Sequence, residues 1–311
     1  MIIHPEAFIV ELNSFQEKLA NILPQIEIRF NEPMSKHTSF RIGGAAEAMA
    51  FPKSEEELSK LMKVSKELDI RCAILGAGTN VLAPDMGVSG LVICLKDCLN
   101  GMELLGEGRL RVMAGVTMSR AAVFAANHDL SGLEFAHGIP GTVGGGVYMN
   151  AGAYGGEISQ ICIQVSVMDK AGLLHVRTRE EMDFCYRHSR LEETGEIVTC
   201  AVFQLTDAPQ EQVKQRMKEL QSRRIASQPL DYPSAGSAFK RPVGGYAAAL
   251  IDQAGLKGFR VGNAAISEKH AGFAINLGGA TAQDVKELLR QTSDKVYENS
   301  GIRLDPEIRI W

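Results

Sequence analysis

Apolar residues recur at helical spacing in four stretches of the chain. Phe8, Leu12, Phe15, Leu19 and Ile22 predict a helix over residues 6–23. Leu58, Leu61, Met62, Ser65 and Leu68 predict a second, opened by Ser54 with Glu57 three residues on, a capping-box pattern. Val213, Met217 and Leu220 predict a third over 210–224, and Val285, Leu288, Leu289, Thr292 and Val296 a fourth behind the cap Thr281. Shorter helices are expected over 117–127 and over 246–253, the latter ended at Gly255.

Between them lie strand patterns. Segments 48–51, 71–75 and 91–95 are short apolar runs around the second helix, so the first part reads as a β-α-β unit. Segments 102–105, 110–114, 161–168, 173–177 and 197–205 read as antiparallel strands; the last three alternate apolar and polar residues, as half-solvated strands do. Segment 273–277 is a further strand, and the tail 302–311 reads as a strand interrupted at Pro306. The fold class is α+β.

One stretch breaks both periodicities. Residues 138–156 read GIPGTVGGGVYMNAGAYGG, with eight glycines in nineteen positions. Glycine costs backbone entropy, so a cluster of it serves positive φ or close approach to bare backbone. Ile139, Val143, Val147, Tyr148 and Tyr154 interrupt it, which excludes a flexible linker. It reads either as an ordered loop whose amides face a bulky anion or as a loop that merely packs closely. A second glycine pair lies in Gly76-Ala77-Gly78-Thr79-Asn80-Val81. Val81 stands where a dinucleotide fingerprint needs its third glycine, and Pro84 and Gly87 fall where its helix should run, so the motif fails. The loop can still offer phosphate its amides and the Thr79 and Asn80 side chains; a plain strand-end turn is the alternative.

Composition narrows the class. The net charge of −4 does not favour nucleic acid or an anionic membrane, and no apolar run is long enough to span a bilayer. Six scattered cysteines form no C-x-x-C pair and read as reduced, which points to the cytoplasm. There is no P-loop, no H-E-x-x-H and no G-x-S-x-G, and no metal site is indicated. Three polar clusters remain. Tyr186-Arg187-His188-Ser189-Arg190 carries an arginine fork able to neutralise a carboxylate or enolate, or is a solvated loop. Ser237, followed by Lys240 and Arg241, is a proton donor to a strong base, or a helix cap. Glu307 and Asp305 flank Pro306 beside Arg309, as an aimed carboxylate or a surface ion-pair ladder.

Taken together, HTSFRIGG (37–44), GAGTNVL (76–82), GLEFAHGIPGTVGG (132–145), NAGAYG (150–155), YRHSR (186–190), GSAFKRP (236–242), ALIDQAGLKG (249–258), GNAAISEKHAGF (262–273) and LDPEIR (304–309) resemble one family. It is the UDP-N-acetylenolpyruvoylglucosamine reductase family, in its shorter class without an inserted tyrosine loop. The resemblance implies a non-covalent FAD in the fold of the vanillyl-alcohol-oxidase-like flavoproteins. It implies FAD-binding subdomains over 1–97 and 98–208 and a substrate-binding domain over 209–300, with the tail 301–311 returning to the active site. It implies that Arg41, Gly76, Ala77, Gly78, Thr79, Asn80, Val81 and Leu82 bind FAD. Gly138, Ile139, Pro140, Gly141, Thr142, Gly144, Gly145, Asn150, Ala151, Gly152 and Ala153 would form the other wall. NADPH reduces the flavin and leaves; enolpyruvyl-UDP-GlcNAc follows, and hydride passes from flavin N5 to its C3. Arg187 would hold the resulting enolate, Glu307 assist, Ser237 protonate C2, and Tyr186, Lys240 and Arg241 contact substrate. The family often has Asn where Arg241 stands. A monomer without nucleic-acid or membrane partners is expected. Two alternatives are another flavin oxidase or dehydrogenase of this fold and a non-catalytic nucleotide-sugar binder. The absence of histidine over 71–97 argues against a covalently attached flavin there, and the presence of Arg187, Ser237 and Glu307 against a dead enzyme.

The purified protein is expected to be yellow and to release its flavin into the supernatant on boiling. Colour retained in the precipitate would show covalent attachment and overturn this expectation.

Overall fold

The computed structural model describes residues 14–311. Its first sheet has the strand order Glu27–Pro33, Ala45–Phe51, Val88–Cys94, Cys72–Leu75. The first two pair antiparallel, while Val88–Cys94 runs parallel to both of its neighbours. Helix Glu55–Glu67 makes the crossover. Its start is dictated locally: Ser54 Oγ accepts from Glu57 N at 3.2 Å, and the Glu57 carboxylate reaches back to Lys53 N at 2.7 Å. Leu58, Leu61 and Met62 pack with Ala48, Ala50, Leu91 and Ile93 of the sheet. Leu68, expected on the buried stripe, is instead the C-cap and exposed, because the helix stops one residue before it.

The first helix is described from Ser14 to Ile22; the expected Phe8 and Leu12 positions lie outside the described residues. Leu19 and Leu23 enter the core there, and Ile22, expected inward, is half exposed. Among the described residues no helix is long and apolar enough to cross a membrane.

The second sheet has the order Leu174–Thr178, Cys162–Met168, Ile197–Gln204, Arg109–Met113, Met102–Gly106, antiparallel throughout. Strand Ile197–Gln204, expected to be half solvated, is buried at seven of its eight positions. It is central, and both faces are covered. Val198, Ala201 and Phe203 face the core that includes helix Met118–Ala126, while Ile197 joins Leu58 and Leu61 of the first unit. Its polar Thr199 is tolerated because its hydroxyl donates to Ser166 O and its carbonyl accepts from Ala114 N.

Helix Gln210–Ser227 buries Val213, Met217 and Leu220 as expected but runs a turn longer than expected. It ends where Gln228 must be extended before Pro229. The third sheet has the order Ser234–Ser237, Phe273–Asn276, Ala264–Ile266, Arg260–Val261. Against it packs helix Ala282–Ser300, whose predicted inward residues are all at most 2% exposed. Thr281 and Asp284 form a capping box, and Gly301 ends the helix at φ 71°. A remote residue adds to the cap: Asp85 accepts from Ala282 N at 2.7 Å and Gln283 N at 3.1 Å. A carboxylate at that end satisfies free amides and complements the helix dipole.

The chain then returns to its first part. The tail is shorter in strand than expected, only Arg309–Ile310, which pair parallel with Val81–Leu82. Pro306 makes a single bridge to Phe239, and Leu304 and Ile308 join Phe40, Ile42 and Leu82 in the third core. The last residues thus lie between the Gly76 loop and the Ser237 strand.

Candidate active site

The two glycine stretches meet. Strand Cys72–Leu75 delivers Gly76–Asn80, and the chain then enters the short strand Val81–Leu82 rather than a helix. Gly78 has φ +60°, and a Cβ there would lie 2.1 Å from His37 O, so only glycine fits. Ser39 N donates to Gly78 O at 3.0 Å, which seats this loop on the turn that carries Arg41. Arg41 itself is exposed at φ 55°. Thr79 Oγ1 donates to Pro140 O at 3.1 Å, and a Cβ on Gly76 would meet Thr142 Oγ1 at 2.6 Å. Across the junction a threonine side chain of each stretch therefore lies on the backbone of the other.

Part of the second stretch, expected as a loop, is helical. Thr142 caps Val143–Tyr148, its hydroxyl accepting from Gly145 N at 3.4 Å. Its three glycines have different duties. A Cβ on Gly144 would lie 2.9 Å from Ala114 Cβ, just past strand Arg109–Met113, and one on Gly146 2.9 Å from Met118 Sδ of helix Met118–Ala126, so both pack the short helix on its neighbours. Gly145 is exposed, and its Cβ would find only Thr142 Oγ1 at 3.6 Å. Of the two glycines expected to line the cofactor, Gly145 has an open face and Gly144 a packed one. Gly141, at φ +131°, lies against Thr79, and Gly138 against the aliphatic stem of Arg224. Ile139 and Ala151 pack on the second core.

Several side chains expected to face the cofactor are used by the protein itself. Thr142 and Leu82 are buried. Asn80 Nδ2 donates to Glu307 O at 3.0 Å and lies 2.8 Å from Met149 Sδ. Asn150, 1% exposed, accepts from Ser159 N at 2.8 Å and donates to Cys185 O at 3.0 Å. Asn80 and Asn150 are organisers that join the glycine walls to the Glu307 and Arg187 segments. Gly152 and Ala153 form a two-residue hairpin strand with Gly156 and Glu157, and the Gly152 carbonyl is also taken.

Its donor is Arg187. Nη2 of Arg187 donates to Gly152 O at 3.1 Å, while Nε donates to Glu307 Oε1 at 2.8 Å. Arg187 sits at φ 56°, a left-handed position that a non-glycine residue rarely takes. The turn is fixed from three sides: by the Cys185–His188 bridge, by Asn150, and by Ser189 Oγ donating to Tyr148 O at 2.8 Å. It is not a solvated loop. Glu307 is no surface residue either. Its N donates to Ala238 O at 2.9 Å, and burial pushes its carboxyl above the ordinary value. Arg187, then Lys240 and Arg309, oppose that rise, but desolvation is the larger effect.

Ser237 is exposed on a strand next to Ala238, paired with Phe273; it caps no helix. Lys240 N donates to Asp305 O at 2.8 Å. Arg241 N donates to the Tyr186 hydroxyl at 3.2 Å, and its guanidinium lies 4.2 Å from the Tyr246 ring centre. Tyr186, Arg187, Ser237, Lys240, Arg241 and Glu307, from three distant segments, are thus collected beside the junction of the glycine stretches. The organisers Asn80 and Asn150, and Tyr246, carry no sequence signal of those roles; Arg309, two residues after Glu307, carried one. The junction of the two glycine stretches, with its open Gly145 face, suits a flat, diphosphate-bearing cofactor. An arginine, a buried carboxyl and an exposed hydroxyl beside it suit proton transfer to an anion held next to that cofactor.

The comparisons agree with this geometry. The FAD binding domain family matches residues 46–177. The C-terminal domain family of UDP-N-acetylenolpyruvoylglucosamine reductase matches 228–311. A UDP-N-acetylenolpyruvoylglucosamine reductase of Agathobacter rectalis is 43% identical, covering 96% of this chain and 98% of that protein. One of Streptococcus pneumoniae is also 43% identical, with the same coverage. The crystal structure of UDP-N-acetylenolpyruvylglucosamine reductase from Thermus caldophilus matches with a TM-score of 0.78 at 38% identity, covering 92% of this chain and 99% of that one.

Gly145→Val is expected to lose FAD, read as the flavin-to-protein absorbance ratio, with its melting temperature close to that of wild-type apoprotein. Gly144→Val is expected to lower the apoprotein melting temperature as well, since overpacking costs about 1–3 kcal/mol. Full flavin occupancy in Gly145→Val would refute the open-face assignment.

Proposed function

The chain belongs to the UDP-N-acetylenolpyruvoylglucosamine reductase family, and from that premise we propose which of its residues carry the reaction and in what order. It is an FAD-dependent reductase that makes UDP-N-acetylmuramate for peptidoglycan synthesis. NADPH is the reductant. FAD, when bound, would supply the hydride chemistry that links NADPH to C3 of the enolpyruvyl ether. The backbone of Gly76–Asn80 and of the stretch around Gly141 and Gly145 would hold it. The fit rests on the meeting of the two glycine stretches and on the open face of Gly145.

The remaining work falls to side chains. Negative charge that builds at C2 spreads into the substrate carboxylate. The fork of Arg187, now shared between Glu307 and Gly152 O, is the group to receive it. Its left-handed backbone holds the fork there before substrate arrives. Ser237 donates the proton to C2; an enolate is basic enough to take it from a hydroxyl. Glu307, whose carboxyl burial raises above its ordinary value, assists from beside the anion through its hydrogen bond with Arg187. Tyr186, Lys240 and Arg241 contact the charged parts of the nucleotide sugar. The observation that carries the reading is the contact between Arg187 and Glu307, 120 residues apart, beside an exposed serine.

We also assign the two FAD-binding subdomains to 1–97 and 98–208 and the substrate-binding domain to 209–300, and take the protein to work as a cytoplasmic monomer. All six cysteines are free, which suits a reducing compartment.

Ser237→Ala is expected to leave flavin reduction by NADPH nearly intact and to slow flavin reoxidation by enolpyruvyl-UDP-GlcNAc by about 10²–10⁴-fold, the usual worth of a positioned acid. Stopped-flow absorbance separates the two steps; equal slowing of both would remove Ser237 from this role. The pH profile tests Glu307. Its raised value means that it keeps its proton to a higher pH than a free glutamate, so reoxidation should fall as pH rises through a transition above the ordinary carboxylate range. Glu307→Gln should abolish that transition; its persistence would assign it elsewhere.

A further inference from the structure

The turn that carries Arg187 and the tail that carries Glu307 are joined twice. Arg187 donates to Glu307 at 2.8 Å. Farther along both segments, Arg309 makes a two-pronged pair with Glu192, on the short helix Leu191–Thr194. One prong, Nη1 to Oε2, is 3.2 Å; the other, Nη2 to Oε1, is shorter. The charges are crossed. One segment offers Arg then Glu, the other Glu then Arg. A slipped pairing would set like charge on like, so the two rungs together specify one register.

The second rung is fixed at both ends. Arg309 N donates to Asn80 O at 3.0 Å, and its guanidinium lies 5.8 Å from the Tyr148 ring centre, so it touches both glycine walls. Arg309 Nε is buried without a hydrogen-bond partner, which commits the fork to its two outer nitrogens. On the other side, His188 Nδ1 lies 3.6 Å from Glu192 Oε1 and His188 Nε2 lies 3.2 Å from Glu193 Oε1. Glu192 therefore stands between the turn and the tail. Without it a free arginine would remain two residues from Glu307, able to compete with Arg187 for that carboxyl.

We propose that Glu192 is a positioning residue for the step in which substrate is reduced: by holding the Arg309 fork it keeps Glu307 in register with Arg187. The role rests on the function proposed above. Flavin reduction by NADPH does not need that register, whereas protonation of the enolate does. The pair is partly exposed, so its worth is orientation rather than bulk stability.

The test uses the FAD-loaded full chain and follows both half-reactions by stopped-flow. Wild type is read first; failure to reoxidise with enolpyruvyl-UDP-GlcNAc would sink the proposed function rather than this inference. In Glu192→Gln, flavin reduction should stay within about twofold, and reoxidation at saturating substrate should slow roughly 10- to 100-fold, the scale of a small misplacement. Glu192→Asp, which keeps the carboxylate, should reoxidise faster than Gln. A wild-type reoxidation rate in Glu192→Gln overturns the proposal. So does equal slowing of both half-reactions, or an Asp variant no faster than Gln. If the Gln variant loses its flavin, Glu192→Asp carries the test alone: several-fold slower reoxidation with normal reduction supports the role, and wild-type rates in both steps overturn it.

Discussion

The contact between Arg187 and Glu307 closes the site, and much of the surrounding structure can be understood as holding its two ends. A buried carboxylate and a guanidinium lose hydration, so such a pair persists only with good geometry and further hydrogen bonds. Both are present. Arg187 has the Gly152 carbonyl and a turn pinned by Asn150 and Ser189. Glu307 is tethered through its backbone to Ala238 and Asn80. Each tether leads to a different part of the chain, so the pair forms only when those segments have come together.

The same constraint explains the path of the tail. Helix Ala282–Ser300 ends at Gly301, and the chain must cross from the third sheet to the strand that follows the Gly76 loop. It does so by a bridge at Pro306 and a two-residue parallel pairing with Val81–Leu82. This brief pairing sets the Glu307 segment between the Gly76 loop and the serine strand. Asp85, capping the same helix from the first unit, ties its other end. Leu304 and Ile308, flanking Glu307, are buried in a core that also contains Leu82. Apolar burial therefore supplies the anchoring, and hydrogen bonds supply the aim.

Glycine plays two parts that the sequence does not distinguish. At Gly76, Gly78 and Gly144 its missing side chain lets protein pack on protein; at Gly145 it leaves an open face. A run of glycines announces close approach but not the identity of what approaches. That identity depends on which strand lies behind the helix, here the one ending in Met113–Ala114. The asparagines teach the same lesson. Asn80 and Asn150 read as ligands in a glycine-rich loop, and the structure shows Asn80 Nδ2 and both ends of the Asn150 amide joining segments.

By itself the sequence determined most elements, because helix periodicity and caps are local. Ser54, Thr281, Gly255 and Gly301 act within one turn of themselves, and the buried stripe of Ala282–Ser300 lies where its spacing put it. It also determined the family, since long motifs in fixed order need no coordinates. It misread strand Ile197–Gln204, because being covered on both faces depends on neighbours from elsewhere in the chain. It took residues 143–148 for loop, because glycine propensity argues against a helix that packing on Ala114 and Met118 nonetheless imposes. Only the tertiary structure decided that Arg187 meets Glu307 and Glu192 meets Arg309. Such pairings join residues more than a hundred positions apart, and no local rule of backbone or side chain reaches that far.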